Sequence, residues 1–421
     1  MIKKLILMTL VIVGGVMSAN AEDYTVFFNQ DNSWYKLCSL TDDDNDGVYS
    51  AIVNIETAQK LGWGRCTIVL SKESELGDSW NNVMWANTTE DKSILSENAF
   101  TLSAWSNDGK LFIPITENGA NTYAIKLEFD SNTNAISGTR MIEFASSNDD
   151  WHTSNPVYIE ETTHNSGVYA GKIELPANTE FKFVTNNSGS VGWYGKKDSS
   201  ISTEGSNYKI EADGVYEIKA DLSSWNWTDP ELVTVPVTLT YPYATFSSDY
   251  ALDFTGVTEI KAYQAEMDGT RVKMNRVSGK VPANTGLFVA SASGEDGATA
   301  NIPTTICTTE LTGNLLKATT GAPVESENLY SFVKRGDDYG FAKVPSGYTW
   351  AKGKAYLETS GTVNAPSLGF TMDDGETTTI HSIELGVVNN ENGVMYNLAG
   401  QRISEPTTGV YIMNGMKVIV K

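Results

Sequence analysis

The chain has 421 residues, 40% of them hydrophobic and 10% aromatic, which suffices for roughly two to four domains with ordinary cores and no stabilising staple. Its formal charge is −22 at pH 7, and no basic stripe interrupts the acidic surface, so nucleic acid is excluded as an expected partner and neutral glycans are favoured over polyanionic ones. Three cysteines make no disulfide framework: Cys38 and Cys66 either pair or stay apart, and Cys307 is left over.

Residues 1–21 read as a secretory signal peptide. Lys3 and Lys4 precede an apolar run from Leu5 to Val16, and Ser18-Ala-Asn-Ala21 offers small residues for cleavage before Glu22. The run is too short for a permanent membrane helix. No lipobox cysteine follows it. The mature chain is therefore expected to have no transmembrane segment, and to be secreted or displayed on the outer cell surface.

From Tyr24 onward, short alternating or β-branched runs recur between clusters of Asn, Asp, Gly and Ser, which is the pattern of β-sandwiches. The single exception is a short helical turn expected around Glu56 to Leu61. Within this all-β pattern lies an internal repeat. Phe27-Phe28 followed by Trp34 answers Phe144 followed by Trp151, and Gly47-Val-Tyr answers Gly167-Val-Tyr. Cys66-Thr-Ile-Val answers Phe181-Lys-Phe-Val, and Thr122-Tyr-Ala-Ile-Lys126 answers Val215-Tyr-Glu-Ile-Lys219. The repeat predicts one sandwich over 22–137, enlarged between Ser71 and Leu111, and a second over 138–230. A third all-β domain over 231–370, a polar linker over 371–392 and a short C-terminal β module over 393–421 complete the organisation. In the last module, Asn414-Gly415 between alternating runs predicts a two-residue hairpin turn.

Three stretches carry resemblances to known families. "YNLAGQR" and the terminal "KVIVK" resemble the C-terminal sorting domain by which Bacteroidota export proteins through their type IX system, which implies export machinery as a partner. The plainer alternative is a final hairpin of the preceding domain. Tyr243-Ala-Thr-Phe-Ser-Ser-Asp-Tyr-Ala-Leu252, Val281-Pro-Ala-Asn-Thr-Gly-Leu287 and Lys352-Gly-Lys-Ala-Tyr-Leu357 resemble an uncharacterised all-β domain of secreted Bacteroidota proteins, which implies no activity. "GVYAGKIELPANTEFKFV", "WYGKKD" and "YKIEADGVYEIKADL" in the second repeat resemble the starch-binding SusE/SusF outer-membrane family. That resemblance implies tandem immunoglobulin-like β-sandwich domains that hold a glucan without catalysis. The chain departs from the family in lacking the anchoring cysteine, so it would reach the surface through its C-terminal module.

The residues themselves point the same way. A sugar binder needs flat aromatic surface beside hydrogen-bonding groups, and Gly192-Trp-Tyr-Gly-Lys-Lys-Asp198 offers Trp193, Tyr194, Lys196, Lys197 and Asp198 in seven residues. The alternative is that Trp193 or Tyr194 caps the sandwich core, and the exposure of the two rings discriminates the readings. In the first repeat Trp80, Asn81, Asn82 and Trp85 occupy the corresponding place, either as a site or as packing of the enlarged loop. Trp34 and Trp151 follow the first strand of each repeat and either wall the same cleft or belong to the core, whereas Trp225 and Trp227 are expected to be structural. Asp42, Asp44 and Asp46 have the alternating spacing that converges on calcium, but the acidic residue twelve positions along such a loop is replaced by Val53, and a plain hairpin turn is the alternative.

His152, His164 and His381 have no metal-ligand spacing or nucleophile motif beside them. Two distant carboxylates could still serve a glycosidase, a separation in space that one sequence does not reveal. The reading is a non-catalytic, exported binder of neutral glycan, such as a starch-like α-glucan, with no cofactor unless calcium. The competing reading is a structural or adhesive surface protein without a sugar site.

Overall fold

The computed structural model describes residues 24–30, 33–54, 65–72, 83–104, 110–114, 124–151, 156–187, 190–336, 338–359, 363 and 365–373, together with the backbone of strands Met395–Asn397, Arg402–Ile403, Gly409–Met413 and Met416–Val420. The signal peptide, the helical turn expected at Glu56 to Leu61 and linker residues 374–392 lie outside the described residues. Among those described, every helix or strand element is a strand, and no helix is long and apolar enough to cross a membrane. The protein is all-β.

The internal repeat appears as repeated strand pairing. In the first copy Tyr24–Gln30 lies between Ser33–Leu40 and Arg65–Ser71, while Val48–Asn54 pairs with Ala124–Asp130. In the second copy the end of Ala135–Ser146 lies between Val157–Glu161 and Glu180–Asn187, while Val168–Leu175 pairs with Gly214–Asp221. All these pairs are antiparallel. Alternation along each strand sends every second side chain inward. Val26, Phe28, Leu40, Leu70, Leu127 and Phe129 build the first core, and Ile142, Phe144, Ile159, Tyr169, Phe181, Phe183 and Ile218 build the second.

The hairpin turns repeat as well. Asn45 and Gly47 in one copy, and Asn165 and Gly167 in the other, adopt the left-handed conformation that Asn and Gly tolerate best. Asp42 accepts hydrogen bonds from the backbone N–H of Asp46 and Gly47. In the second copy Glu161 does the same for Asn165 and Gly167.

One strand joins the copies. Residues Ala135 to Met141 pair with Ala124–Asp130, and Met141 to Ser146 pair within the second copy, so the boundary expected at 137 and 138 falls inside a continuous strand. Ion pairs reinforce the junction: Lys126 meets Glu160 at 3.2 Å and Arg140 meets Glu161 at 3.4 Å.

The register also excludes the Cys38–Cys66 disulfide. Cys38 stands opposite Val26, whereas Cys66 precedes Thr67, the partner of Asn29. Two strand spacings across and four residues along put their backbones about 16 Å apart, against the roughly 7 Å a disulfide spans. Cys38 is a free thiol, and burial pushes it up to about 12 against the opposing pull of Lys36.

The chain divides into two compact units. The first takes the chain up to Pro236 together with Tyr250–Asp253 and Asn301–Thr308, so it draws two short segments from the region expected to be a separate third domain. Thr304 fixes one of them. It is 1% exposed, and its hydroxyl accepts from the N–H of Val215 at 3.0 Å and donates to the carbonyl of Val233 at 2.9 Å. Replacing Thr304 by Val keeps the shape but strips the Val215 N–H of this partner, so urea unfolding is expected to show a loss of about 1 to 3 kcal/mol, with Thr304→Ser closer to wild type. Equal stability of Thr304→Val and wild type would show that the hydroxyl is not needed there.

The second unit contains two five-stranded sheets. Tyr243–Phe246, Leu287–Ser291, Ile260–Asp268, Arg271–Val277 and Phe370–Asp373 follow one another in the first, with the last pair parallel. Leu316–Ala318, Ala355–Glu358, Leu329–Arg335, Asp338–Lys343 and Ser367–Leu368 form the second. Tyr263, Met274, Phe288, Tyr330, Phe341 and Phe370 fill the core between them. The first linker residues, Thr371 to Asp373, thus continue a strand of this unit. In the C-terminal module Gly409–Met413 pairs with Met416–Val420, Met413 opposite Met416; the turn expected at Asn414-Gly415 lies outside the described residues.

Candidate functional site

Strand Ser190–Lys197 lies beside Glu180–Asn187, with Trp193 opposite Val184 and Tyr194 opposite Phe183. Neighbouring side chains in a strand point to opposite faces. Tyr194 consequently enters the second core, 8% exposed and 5.1 Å from the Trp225 ring, while Trp193 faces outward and is 36% exposed. The two rings expected to form one sugar platform are thus separated by the sheet. Tyr194 is a core residue.

The remaining members of that segment scatter too. Lys196 pairs with Asp229 at 2.6 Å and lies near the rings of Tyr208 and Trp227. Asp229 also accepts from the Trp227 indole N–H at 2.7 Å. The Lys196 ammonium and the indole N–H hold the Asp229 carboxyl below the usual range, and the whole knot closes an edge of the core where Trp227 stacks on Phe181. Lys197 pairs with Glu204, and Asp198 takes the left-handed turn position ahead of strand Ser200–Ser202. Trp225 and Trp227 pack against the core, as expected of structural residues.

A different group assembles on the outer face. The Trp151 ring lies 6.4 Å from that of Trp193, inclined at 52°. Trp151 and Tyr158 pack on a floor of Ala145 and Val184. Val191 shares the face of Trp193 two residues away and is exposed. Asn186, opposite Val191, is buried, and its side-chain carbonyl has no hydrogen-bond partner among the described residues. Trp151 itself has φ of 55°, a conformation that bulky residues avoid. Its N–H is held by the carbonyl of Ser146 at 2.9 Å. Tyr158 and Asn186 escape sequence reasoning because each is an isolated residue, brought to the face by register.

The first copy has a related aromatic pair. Trp34 and Trp85 meet edge to face at 5.8 Å over Phe27, Val69 and Val83. Trp80, Asn81 and Asn82 lie outside the described residues, as do His152 and His381. His164 belongs to the turn after Val157–Glu161. The carboxylates of Asp42, Asp44 and Asp46 each place an oxygen within 4.8 Å of the others. Asp42 uses both oxygens on the turn amides, and Asp46 accepts from the N–H of Val48 at 2.8 Å. This is the arrangement a hairpin turn needs, and Glu161 performs the duty of Asp42 in the second copy.

No family model matches the chain, and no curated protein matches it. Among solved structures it is similar to SusF from Bacteroides thetaiotaomicron, at 12% identity over 66% of this chain and 72% of that one. The TM-score of 0.22 is too low to inform fold or function, so the functional reading rests on the geometry above.

Proposed function

We propose that the chain is a non-catalytic glycan-capture protein, exported to the outer cell surface, whose second sandwich holds a neutral sugar chain such as an α-glucan on the Trp151–Trp193 face. One observation carries the reading: two indole rings meet at a splayed angle on an outward face, one of them exposed and the other held in a strained backbone conformation. The core-packed Trp225 shares that conformation at φ 56°, so what favours a functional role is the exposure of Trp193 beside a second indole. The apolar C–H face of a pyranose fits such a ring.

Covering one ring face removes on the order of 60 to 80 Å² from water, a gain of about 1.5 to 2 kcal/mol. A single site of this size binds near the millimolar range, about −4 kcal/mol in all. Affinity electrophoresis of residues 22–373 in gels containing amylopectin, pullulan, xyloglucan or mannan tests the reading. One glucan is expected to retard the wild type, and Trp193→Ala or Trp151→Ala to weaken the retardation while melting behaviour is kept. No retardation by any glycan would replace this reading with that of an adhesive or structural surface protein.

A further inference from the structure

The second unit has an aromatic group of its own that the reading above leaves unused. Tyr241 stands in the turn before strand Tyr243–Phe246 and is 43% exposed. The ring of Tyr339 approaches it at 6.5 Å and approaches Tyr243 at 5.2 Å, in both cases edge to face. Behind Tyr339 the rings continue inward. Tyr339 stacks on Phe332 at an interplanar angle of 9°, and Phe332 meets the fully buried Phe288 at 5.1 Å. The exposed Tyr241 and the half-buried Tyr339 are thus the outer end of a file anchored in the core, and fixed rings lose little freedom when a ligand docks.

Polar groups stand against the rings. Lys334 is the cross-strand partner of Tyr339, and its ammonium lies over one face of the Tyr241 ring, 4.0 Å from its centre. Partial desolvation lowers that ammonium, but the Tyr339 hydroxyl, Tyr241 and the Asp296 carboxylate outweigh it and keep the group above the usual lysine value. Backbone bonds between Leu239 and residues Gly297 and Ala298 hold the Asp296 loop beside the segment carrying Tyr241. Two splayed phenol rings, an ammonium and a carboxylate supply the apolar surface, donors and acceptors that a pyranose requires.

We propose that the second unit carries an independent glycan-binding platform, in which Tyr241 and Tyr339 receive the sugar ring while Lys334 and Asp296 bind its hydroxyls. The proposal shares its ligand class with the function proposed above, but not its site. Two linked weak sites on one chain hold a polymer more tightly than either alone, through effective concentration.

The test compares four versions of the full chain: wild type, Trp151→Ala with Trp193→Ala, Tyr241→Ala with Lys334→Ala, and the combination of all four changes. Each is run in the same polysaccharide gels, with melting curves as the folding control and Tyr241→Phe as the variant that keeps the ring. Each pair of changes is expected to weaken retention about tenfold, the combination to abolish it, and Tyr241→Phe to behave as wild type. Wild-type retention by the Tyr241, Lys334 variant would overturn the platform and leave the second-sandwich site standing. Loss only in that variant would support the platform and overturn the second-sandwich site. No retention of any of the four proteins would overturn both.

Discussion

Residues 22–137 and 138–230, produced as separate chains, are expected to be unfolded or aggregated, although each spans one complete sequence repeat. The reason is the strand Ala135–Ser146. Gly138, Thr139, Arg140 and Met141 form the upper part of the ladder on Ala124–Asp130, yet a cut after Ser137 hands them to the other fragment. The first fragment then loses the cover that Gly138 gives to Ile94, where the approach is so close that an added Cβ would lie 2.8 Å from the Ile94 side chain. It also leaves Ala124 to Leu127 as an unpaired edge, a template for association.

The second fragment keeps Ile142 and Phe144 but begins without the flanking ladder, and the Lys126–Glu160 pair disappears between the two. The total stability of such domains is only about 5 to 15 kcal/mol, and losing half a central ladder with its buried contacts is of that order. Circular dichroism and size-exclusion chromatography check the outcome. Two soluble fragments that each melt cooperatively would show that the repeats are independent domains after all.

The second large effect is expected from the smallest possible side chain. Gly195→Ala should destabilise the protein by about 3 to 5 kcal/mol, which places it among the most damaging single substitutions. A Cβ at Gly195 would overlap the carbonyl oxygen of Ser206 and lie 2.7 Å from that of Gly205. These are backbone atoms, and they are pinned: Lys196 and Ser206 exchange two backbone hydrogen bonds, of 3.0 and 2.9 Å. No rotamer change relieves the clash.

The substitution must either break that bridge or push strand Ser190–Lys197 outward, taking Tyr194 from the core and Trp193 from Trp151. Urea unfolding is expected to report the loss, together with weaker glycan retention for the fraction that folds. Gly279→Ala is the control, because a Cβ there has nothing within 4 Å. Equal stability of the two variants would mean that the segments can separate without cost.

Much of the architecture is legible in the chain itself. The all-β class follows from alternation and turn residues, which are local properties: strand Gly214–Asp221 alternates buried and exposed toward its end as its sequence does. The repeat is legible for the same reason, since Gly47 and Gly167 mark equivalent turns and Phe28 and Phe144 equivalent core positions. The pairing of Gly409–Met413 with Met416–Val420 is legible because two alternating runs so close in sequence pair most readily with each other.

The candidate site is another matter. Trp193 and Tyr194 are adjacent in sequence and look like one platform, but adjacency in a strand places two side chains on opposite faces, and only the register against Val184 and Phe183 tells which faces water. Asn186 reaches the Trp193 face through the register of its own hairpin, Trp151 and Tyr158 through the pairing of Ala135–Ser146 with Val157–Glu161 and Glu180–Asn187, and Tyr241 meets Lys334 from a distant part of the chain. Domain limits were likewise decided in three dimensions, because a strand can serve two sandwiches and Thr304 can cap a unit whose sequence ends some seventy residues earlier. Sequence by itself determined what each segment becomes, since backbone preference and side-chain period act over a few residues. Tertiary structure alone decided which segments share a face, since that depends on long-range pairing whose register no local pattern encodes.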